Sequence, residues 1–234
     1  MKIIAIIPAR YGSKRLPGKP LIQINKKALI QITYESVLGS NLFDLIFVAT
    51  DSEKIKKTVI NFGGQCVMTS SKHLNGTERC AELINKLKHQ ISNQDLIVNI
   101  QCDEPFIKKN HLKKVINLFK VSHQNNIGTL VSSIEKNEIE NPSIVKLNVK
   151  NNAVVDFSRQ KAHFNKKTKI YKHIGVYGYR AHTLLKISKL KIDKREAEES
   201  LEQLRWIAHD YEISYALINQ NLTSINTEID IKKL

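Results

Sequence analysis

The sequence predicts an α/β fold with a doubly wound, mostly parallel sheet and a smaller β-rich elaboration in its second half. Three apolar runs, at residues 2–8, 45–50 and 96–101, are typical of strands buried on both faces of a sheet. Segments with apolar residues at helical spacing lie between these runs. Buried strands that alternate with helices form parallel sheets, so this arrangement is expected for the first half. After residue 128 the pattern changes to shorter strand-like stretches.

The individual elements follow from local patterns. Helices are predicted over 28–40, 52–61 and 77–90, the last behind a cap at 75–77, and later over 182–189 and 196–209. Strands of the second half are predicted at 129–134, 144–149, 153–158, 174–180 and 212–218. Asn151 and Asn152 are typical of a hairpin turn between two of them. No linker or repeat is visible, so we expect one domain over 1–234, with halves 1–128 and 129–234.

Composition narrows the class of protein. Apolar residues make up 41% of the 234 residues and charged residues 25%, which is typical of a compact soluble protein. The apolar run at 2–8 is too short to span a bilayer, so no membrane insertion is expected. The three cysteines, Cys66, Cys80 and Cys102, lack the spacing of a disulfide framework or zinc site. A reducing cytoplasm is the expected location.

The net charge of +15 indicates an anionic partner, either nucleic acid or a small substrate. Thirty of the 37 basic residues are Lys, scattered without interleaved aromatics, so nucleic acid is not the expected partner. A nucleic-acid-binding protein stays an alternative, with salt-dependent affinity for unrelated oligonucleotides as its signature. Each of the seven Arg is a candidate for a bidentate contact with phosphate or carboxylate. They are Arg10, Arg15, Arg79, Arg159, Arg180, Arg195 and Arg205.

Two loops follow the buried strands of the first half and carry the strongest chemical signals. The loop at 8–20 contains two Arg, two Lys and flexible Gly residues, and lies where parallel sheets bind ligands. It matches neither the G-x-x-x-x-G-K-[ST] nor the G-x-G-x-x-G pattern, so we expect a different triphosphate-binding loop rather than a solvated turn. The second loop, at 101–105, places Asp103 at the same edge, where its carboxylate suits Mg²⁺. A simple strand cap is the alternative for Asp103.

These motifs and several later ones resemble those of the 3-deoxy-manno-octulosonate cytidylyltransferase (CMP-Kdo synthetase) family. The matching segments are 8–20, 49–51, 68–69, 73–79, 99–105, 157–159, 173–180 and 201–205. The resemblance implies a nucleotidyltransferase fold, a nucleotide-binding half at 1–128 and a sugar-binding, dimerising half at 129–234. It implies an enzyme that activates an acidic 3-deoxy sugar (Kdo) with CTP for lipopolysaccharide biosynthesis. Mg²⁺ is the implied cofactor and a homodimer the implied assembly.

The resemblance also implies roles for individual residues. The implied nucleotide-binding residues are Ala9, Arg10, Ser13, Arg15, Lys19, Arg79 and Gln101, among which Arg10, Arg15 and Lys19 are catalytic together with Asp103. The implied sugar-binding residues are Gln101, Arg159, His173, Tyr177, Glu202 and Gln203. Arg159 suits a carboxylate, while Glu202 and Gln203 suit hydroxyls. Without the resemblance, His173 and Tyr177 would be read as core residues, and Glu202 with Arg205 as a pair on a helix surface.

The sequence departs from the family pattern at three places. The segment 160–165 lacks the family's Ile-Pro and nearby Trp-Asp-Arg, and Cys102 replaces a Gly. Asn226 replaces an Asp expected as a metal ligand, so we expect Asp103 and Asn226 to hold the metal with a high Mg²⁺ requirement or a preference for Mn²⁺. Two alternatives stay open, a cytidylyltransferase for a nine-carbon acidic sugar such as an acylneuraminate and a catalytically idle relative.

Overall fold

The computed structural model of the chain describes residues 1–12, 16–122, 126–160, 163–164 and 169–232. Three residues of the expected phosphate loop, Ser13, Lys14 and Arg15, lie outside the described residues, as do three of the six residues of the divergent segment 160–165. Within the described part, no helix is both long enough and apolar enough to cross a membrane.

The strands are β1 Ile3–Ala9, β2 Gln23–Ile24, β3 Lys27–Ala28, β4 Leu45–Thr50, β5 Cys66–Met68, β6 Leu96–Ile100, β7 Ile127–Ser133, β8 Lys146–Lys150, β9 Ala153–Ser158, β10 Ile170–Arg180 and β11 Ile213–Ile218. The helices are α1 Leu29–Leu38, α2 Glu53–Asn61, α3 Gly76–Lys86, α4 Lys109–Val121, α5 Ala181–Ile187, α6 Lys194–Glu199, α7 Gln203–Ala208 and α8 Glu228–Lys232. A 3₁₀ turn at Lys19–Leu21 follows β1, and β2 and β3 form a separate small hairpin.

One nine-stranded sheet runs through both halves, in the order β5-β4-β1-β6-β10-β7-β11-β9-β8. The four strands of the first half are parallel, as predicted. The prediction of a mostly parallel sheet is wrong for the sheet as a whole, because β10 returns antiparallel between β6 and β7, and β8 and β9 form an antiparallel hairpin. An additional pairing of β8 with the start of β10 closes a ring of five strands, β10-β7-β11-β9-β8.

Alternation along β1 explains why helices cover both faces of the sheet. Ile4 and Ile6 point into a cluster that includes α3, α5 and α7, while Ala5 and Ile7 point into one that includes α1, α2 and α4. All four side chains are fully buried. Burial of such side chains contributes about 1.5 to 3 kcal/mol each. Both faces of the central strands are therefore sealed, and only their ends are free to bind ligands.

Most local predictions are confirmed. Asn75 caps α3 by accepting a hydrogen bond from the Glu78 N–H (2.9 Å). Asn151 and Asn152 have φ angles of 50° and 63°, as a type I′ hairpin turn requires. The single helix predicted at 196–209 is wrong, because Ser200 adopts the left-handed conformation (φ 54°) and separates α6 from α7. Helix α4 was not predicted, and β10 begins four residues earlier than expected, at Ile170.

Candidate active site

The loop that follows β1 carries the expected phosphate-binding residues. Gly18, with a φ of 67°, closes it by donating from its N–H to the Tyr11 carbonyl (2.9 Å). Only Gly adopts this conformation without strain, and Lys19 follows directly at the start of the 3₁₀ turn. Ala9 is buried beside Thr50 of β4, whereas Arg10 is exposed to solvent. The loop therefore presents one buried backbone position and an exposed guanidinium at the carboxyl end of β1.

Lys19 joins this loop to two distant segments. Its Nζ donates to Asp103 Oδ2 (2.7 Å) and to the Ile225 carbonyl (2.9 Å). The Ile225 N–H in turn donates to the Asp103 carbonyl (2.9 Å). Asn226 directly follows Ile225 in the chain and therefore lies next to this contact. The structure thus brings together two of the expected catalytic residues, Lys19 and Asp103, and places the backbone of the segment that carries Asn226 against them.

The oxygen donors at this point fit Mg²⁺. Asp103 offers a partly exposed carboxylate, and Asn226 adds a neutral amide oxygen in the adjoining segment. The part of the chain that the structure describes contains no group of three or more His, Cys, Asp or Glu that could hold a metal ion. Mg²⁺ commonly uses only one or two carboxylates and completes its shell with water and substrate phosphates. The donor set therefore suits a metal that arrives with a triphosphate.

Gly175 of β10 brings the second set of expected residues against the first. Its carbonyl accepts from the Gln101 N–H (3.0 Å), and its N–H donates to Glu104 Oε1 (3.1 Å). A Cβ at this position would lie 3.1 Å from Gln101 Cγ, closer than side chains ordinarily pack. The irregularity in the β10–β7 pairing falls here, between Ile174 and Tyr177. Because Gly175 has no side chain, His173 and Tyr177 lie next to the loop that carries Asp103.

Helix α3 approaches the same place through Gly76. A Cβ at residue 76 would lie 2.9 Å from Gln101 Nε2 and 3.2 Å from Pro8 Cγ. The start of α3, the end of β1 and the Gln101 side chain therefore converge. Gln101 Nε2 also donates to Asn99 Oδ1 (3.1 Å), which fixes the amide orientation. Gln101 thus lies between the end of β1, the start of α3 and β10, and its contacts with nucleotide and sugar stay predictions.

His173 is held as a neutral imidazole. The Thr129 hydroxyl donates to the Val176 carbonyl (2.9 Å), so at 3.1 Å it accepts from His173 Nε2. This pattern places the ring proton on Nε2 and leaves Nδ1 as an acceptor. Burial, together with the nearby Arg159 charge, lowers the pKa of His173 to about 3. His173 therefore contributes a hydrogen-bonding group and no charge at neutral pH.

Tyr177, Glu202 and Gln203 form a buried polar group beside His173. Gln203 Nε2 donates to the Tyr177 hydroxyl, and the Tyr177 ring packs against His173 with centroids 5.1 Å apart. Burial raises the pKa of Glu202 to about 7, and Thr77 at the start of α3 lowers it only in part. Glu202 Oε2, Gln203 Oε1 and Asn99 Nδ2 are buried and have no hydrogen-bond partner among the described residues. Such atoms are costly unless a ligand satisfies them.

The remaining expected arginines have different surroundings. Arg159 donates from Nε to the Glu199 carbonyl (3.0 Å), and its charge is felt by both His173 and Tyr177. Arg79 is buried and donates to Thr69 Oγ1 (2.6 Å) and Asp51 Oδ2 (2.9 Å). Arg79 therefore ties the ends of β4 and β5 together, and its nucleotide contact stays a prediction.

The interpretation of Arg205 as a surface partner of Glu202 is wrong. Arg205 is only 3% exposed, and its guanidinium donates to both carboxylate oxygens of Glu196, at 2.6 Å each. Its Nη1 lies 3.6 Å from Glu78 Oε1 in the first turn of α3. Arg205 thus connects the helices on the two sides of the site.

Sequence reasoning missed several polar residues of the site. Asn99 interrupts the apolar pattern of β6, a signal that could have been used, and Glu104 was noted only as a neighbour of Asp103. Glu104 is buried, accepts from Ser224 Oγ (2.6 Å), and has its pKa raised to about 7 by burial and by Asp103. Cys102 is buried, which raises the pKa of its thiol and makes it a poor nucleophile.

An open cleft of about 510 Å³ flanks the phosphate loop. Arg10, Tyr11 and Gly12 form one side, and residues 51–54 with Ser71 and His73 form the other. Lys19 and Asp103 are not part of its lining. The cleft therefore borders the phosphate loop on the side of Arg10 and does not include the Lys19–Asp103 pair.

Comparisons with known proteins agree with this arrangement. The family model for cytidylyltransferases matches residues 4–220. The 3-deoxy-manno-octulosonate cytidylyltransferase of Thermodesulfovibrio yellowstonii is 40% identical, with 99% of this chain and 96% of the relative covered. The 8-amino-3,8-dideoxy-manno-octulosonate cytidylyltransferase of Shewanella putrefaciens is 38% identical, with 100% and 97% covered.

A solved structure, CMP:2-keto-3-deoxy-manno-octonic acid synthetase complexed with CTP, superposes with a TM-score of 0.89 at 32% identity. The match covers 100% of this chain and 96% of that one. Sequence identity of this level over almost the full length, together with the same fold, shows which family the chain belongs to. The chain belongs to the 3-deoxy-manno-octulosonate cytidylyltransferase family.

Proposed function

We propose that the protein transfers CMP from CTP to the anomeric hydroxyl of an acidic 3-deoxy sugar, 3-deoxy-manno-octulosonate, and releases pyrophosphate. The observation that carries the proposal is the contact at Gly175, where the loop of Gln101 and Asp103 meets the buried polar group of His173 and Tyr177. A site of charged groups on loops and a more enclosed site built on strands and helices lie side by side there. They suit the triphosphate and the polyhydroxylated sugar, respectively.

On the nucleotide side, Arg10 and Lys19 would bind the CTP phosphates, helped by Ser13 and Arg15. Asp103 and Asn226 would hold Mg²⁺, which when bound neutralises phosphate charge. Lys19 is oriented by Asp103 and the Ile225 carbonyl, so its ammonium is held at the proposed site by the protein itself. Positioning of this kind reduces the reorganisation required during reaction.

On the sugar side, Arg159 would receive the carboxylate, and Glu202, Gln203, His173 and Tyr177 would bind the hydroxyls. The unpartnered atoms Glu202 Oε2 and Gln203 Oε1 are acceptors suited to hydroxyl donors. The anomeric oxygen would attack the α-phosphorus as the bond to the pyrophosphate oxygen breaks, without a covalent enzyme intermediate. Gln101 lies between the two substrates in this arrangement.

The proposal includes dependence on Mg²⁺, a homodimer and a cytoplasmic location, for which the family resemblance is the reason. Sedimentation velocity at several protein concentrations tests the homodimer directly. A monomer at micromolar concentration would contradict that part alone.

The experiment that tests the activity is pyrophosphate release from each of the four nucleoside triphosphates. Each would be offered 3-deoxy-manno-octulosonate, its 8-amino-3,8-dideoxy analogue, an acylneuraminate or a neutral sugar phosphate. We expect release only with CTP and an octulosonate. The relative rates with the two octulosonates show whether the enzyme prefers a hydroxyl or an amino group at C8. Equal turnover of ATP, or release with the neutral sugar phosphate, would contradict the proposal.

A further inference from the structure

Glu199, at the end of α6, makes three hydrogen bonds with the end of β9. Its Oε1 accepts from Ser158 Oγ (2.7 Å), and its Oε2 accepts from the Arg159 N–H (2.9 Å). Its main-chain carbonyl accepts from Arg159 Nε (3.0 Å). One residue thus fixes both the backbone and the side chain of Arg159.

Lys146 holds Arg159 from the other side. Its Nζ donates to the Arg159 carbonyl (2.7 Å) and to the Asn141 carbonyl (2.6 Å). The side chain is fully buried, and burial lowers the pKa of its ammonium. Burying an ammonium is costly unless it is hydrogen-bonded, and these two carbonyls supply the bonds. Lys146 is also the register partner of Ser158 across the β8–β9 hairpin. Lys146 and Glu199 therefore hold the same two residues, Ser158 and Arg159.

These contacts fix three atoms of Arg159, its backbone N and O and its Nε. Beyond them, Nη1 lies 3.3 Å from the Pro142 carbonyl, and the guanidinium charge reaches His173 and Tyr177. The same turn that carries Glu199 passes through left-handed Ser200 to Glu202 and Gln203. Glu199 therefore joins the expected carboxylate-binding residue to the segment that binds the hydroxyls.

We infer that Glu199 is a positioning residue, which holds the Arg159 guanidinium in the orientation that receives the sugar carboxylate. The inference rests on the role proposed above for Arg159. Glu199 acts through Arg159 and not on the sugar itself. The competing interpretation is that Glu199 only attaches α6 to β9 and contributes to folding.

The test compares Glu199→Ala and Glu199→Gln by steady-state kinetics of pyrophosphate release. In Glu199→Ala the carboxylate that accepts from Ser158 Oγ and the Arg159 backbone N–H is lost, while the main-chain carbonyl that accepts from Arg159 Nε remains. Because the backbone that carries the guanidinium is then no longer held, the KM for the octulosonate should rise about tenfold. The KM for CTP should stay within twofold. In Glu199→Gln the amide oxygen can accept from the Arg159 N–H while the amide nitrogen donates to Ser158 Oγ. This variant should therefore stay within about threefold of the parent.

A double-mutant cycle with Arg159→Ala separates positioning from folding. If Glu199 acts through Arg159, adding Glu199→Ala to Arg159→Ala should not raise the octulosonate KM further. Multiplicative effects, or an equal rise in the CTP KM of Glu199→Ala, would overturn the inference. Glu198→Ala, an exposed change on the same helix, is the matched control and should leave both KM values unchanged.

Two further outcomes keep the inference separate from the proposed function. If Arg159→Ala leaves the octulosonate KM unchanged, the proposed role of Arg159 is wrong. If only the Arg159 variants raise it, the inference about Glu199 is wrong and the proposed role stands. Should Glu199→Ala fail to fold in thermal unfolding, Glu199→Asp gives the answer. It keeps the charge but is one methylene shorter, so it too should raise the octulosonate KM severalfold, and an unchanged value would contradict the inference.

Discussion

The two sides of the site use opposite physical means. On the nucleotide side, charged groups lie on loops at strand ends, with Arg10 exposed and the Lys19–Asp103 pair partly exposed. On the sugar side, His173, Tyr177 and Gln203 are held within packed strands and helices, and His173 is neutral. A triphosphate brings its own charge and favours accessible cations. The hydroxyls of a sugar are distinguished by donors and acceptors that packing holds in fixed positions, while the proposed partner of its carboxylate is Arg159.

The largest effect is expected on the charged side, from Asp103→Asn. The change removes both the carboxylate proposed to hold Mg²⁺ and the partner of Lys19. We expect kcat to fall about 10²- to 10³-fold, the range seen when an electrostatic stabiliser is removed. Steady-state pyrophosphate release measures it, with Glu198→Gln as a control at an exposed carboxylate away from the site. A fall below tenfold would show that Asp103 only caps β6.

Arg159→Lys tests whether charge alone is enough on the sugar side. Lys keeps the charge but loses the planar fork, so the KM for the octulosonate should rise about tenfold while the KM for CTP holds. Arg195→Lys, at another partly exposed arginine, which pairs with Asp156, is the matched control. If CTP binding weakens instead, Arg159 belongs to the nucleotide side and the comparison between the two sides fails.

The charged side was easier to predict from sequence than the buried side, for a physical reason. Loops after buried strands converge at one edge of a parallel sheet, so the cation-rich loop and Asp103 could be placed together from pattern alone. The buried side depends on where β10 inserts, which is a contact between distant segments, and on the break at Ser200, which has no local signal such as a Gly. The family resemblance supplied those residues. Glu199, which contacts only protein groups, was predicted neither from the pattern nor from the resemblance.

Glu202→Gln tests the energetic cost of the buried side. Burial raises the pKa of Glu202 from 4.5 to about 7 in the folded protein, and hydrogen bonds with Thr77 oppose this rise in part. The charge of Glu196 raises the pKa and that of Arg205 lowers it, both by smaller amounts. Between those pH values the folded state binds the proton more tightly than the unfolded chain. The contribution of Glu202 to the free energy of unfolding therefore falls as pH rises from 4.5 to 7, and the full cost is present above pH 7.

Gln has the same shape and no titration, so the variant should be more stable than the parent at pH 8, by about 1 to 2 kcal/mol. The difference should shrink toward pH 5, and the octulosonate KM should rise. Thermal unfolding at both pH values measures this, with exposed Glu198→Gln as the control. A stability difference that does not change with pH would mean that Glu202 is not buried as a charged group.

The smallest effect is expected from Asn226→Asp, which restores a charge to the nucleotide side. Asn226 adjoins the contact between Ile225 and Asp103, so a carboxylate there would join Asp103 at the metal. Asp230 is not a substitute, because its Oδ2 accepts from the N–H groups of Asn226 and Thr227 at the start of α8. Hard cations favour carboxylates over amides, so the Mg²⁺ concentration for half-maximal activity should fall about 3- to 10-fold.

The rise of Tm with added Mg²⁺ and CTP should be larger in the variant, which provides a measurement independent of turnover. Asn219→Asp adds the same charge at an exposed position and should change neither quantity. If both variants need as much Mg²⁺ as the parent, residue 226 does not bind the metal, and the nucleotide side relies on Asp103 and the phosphates of CTP.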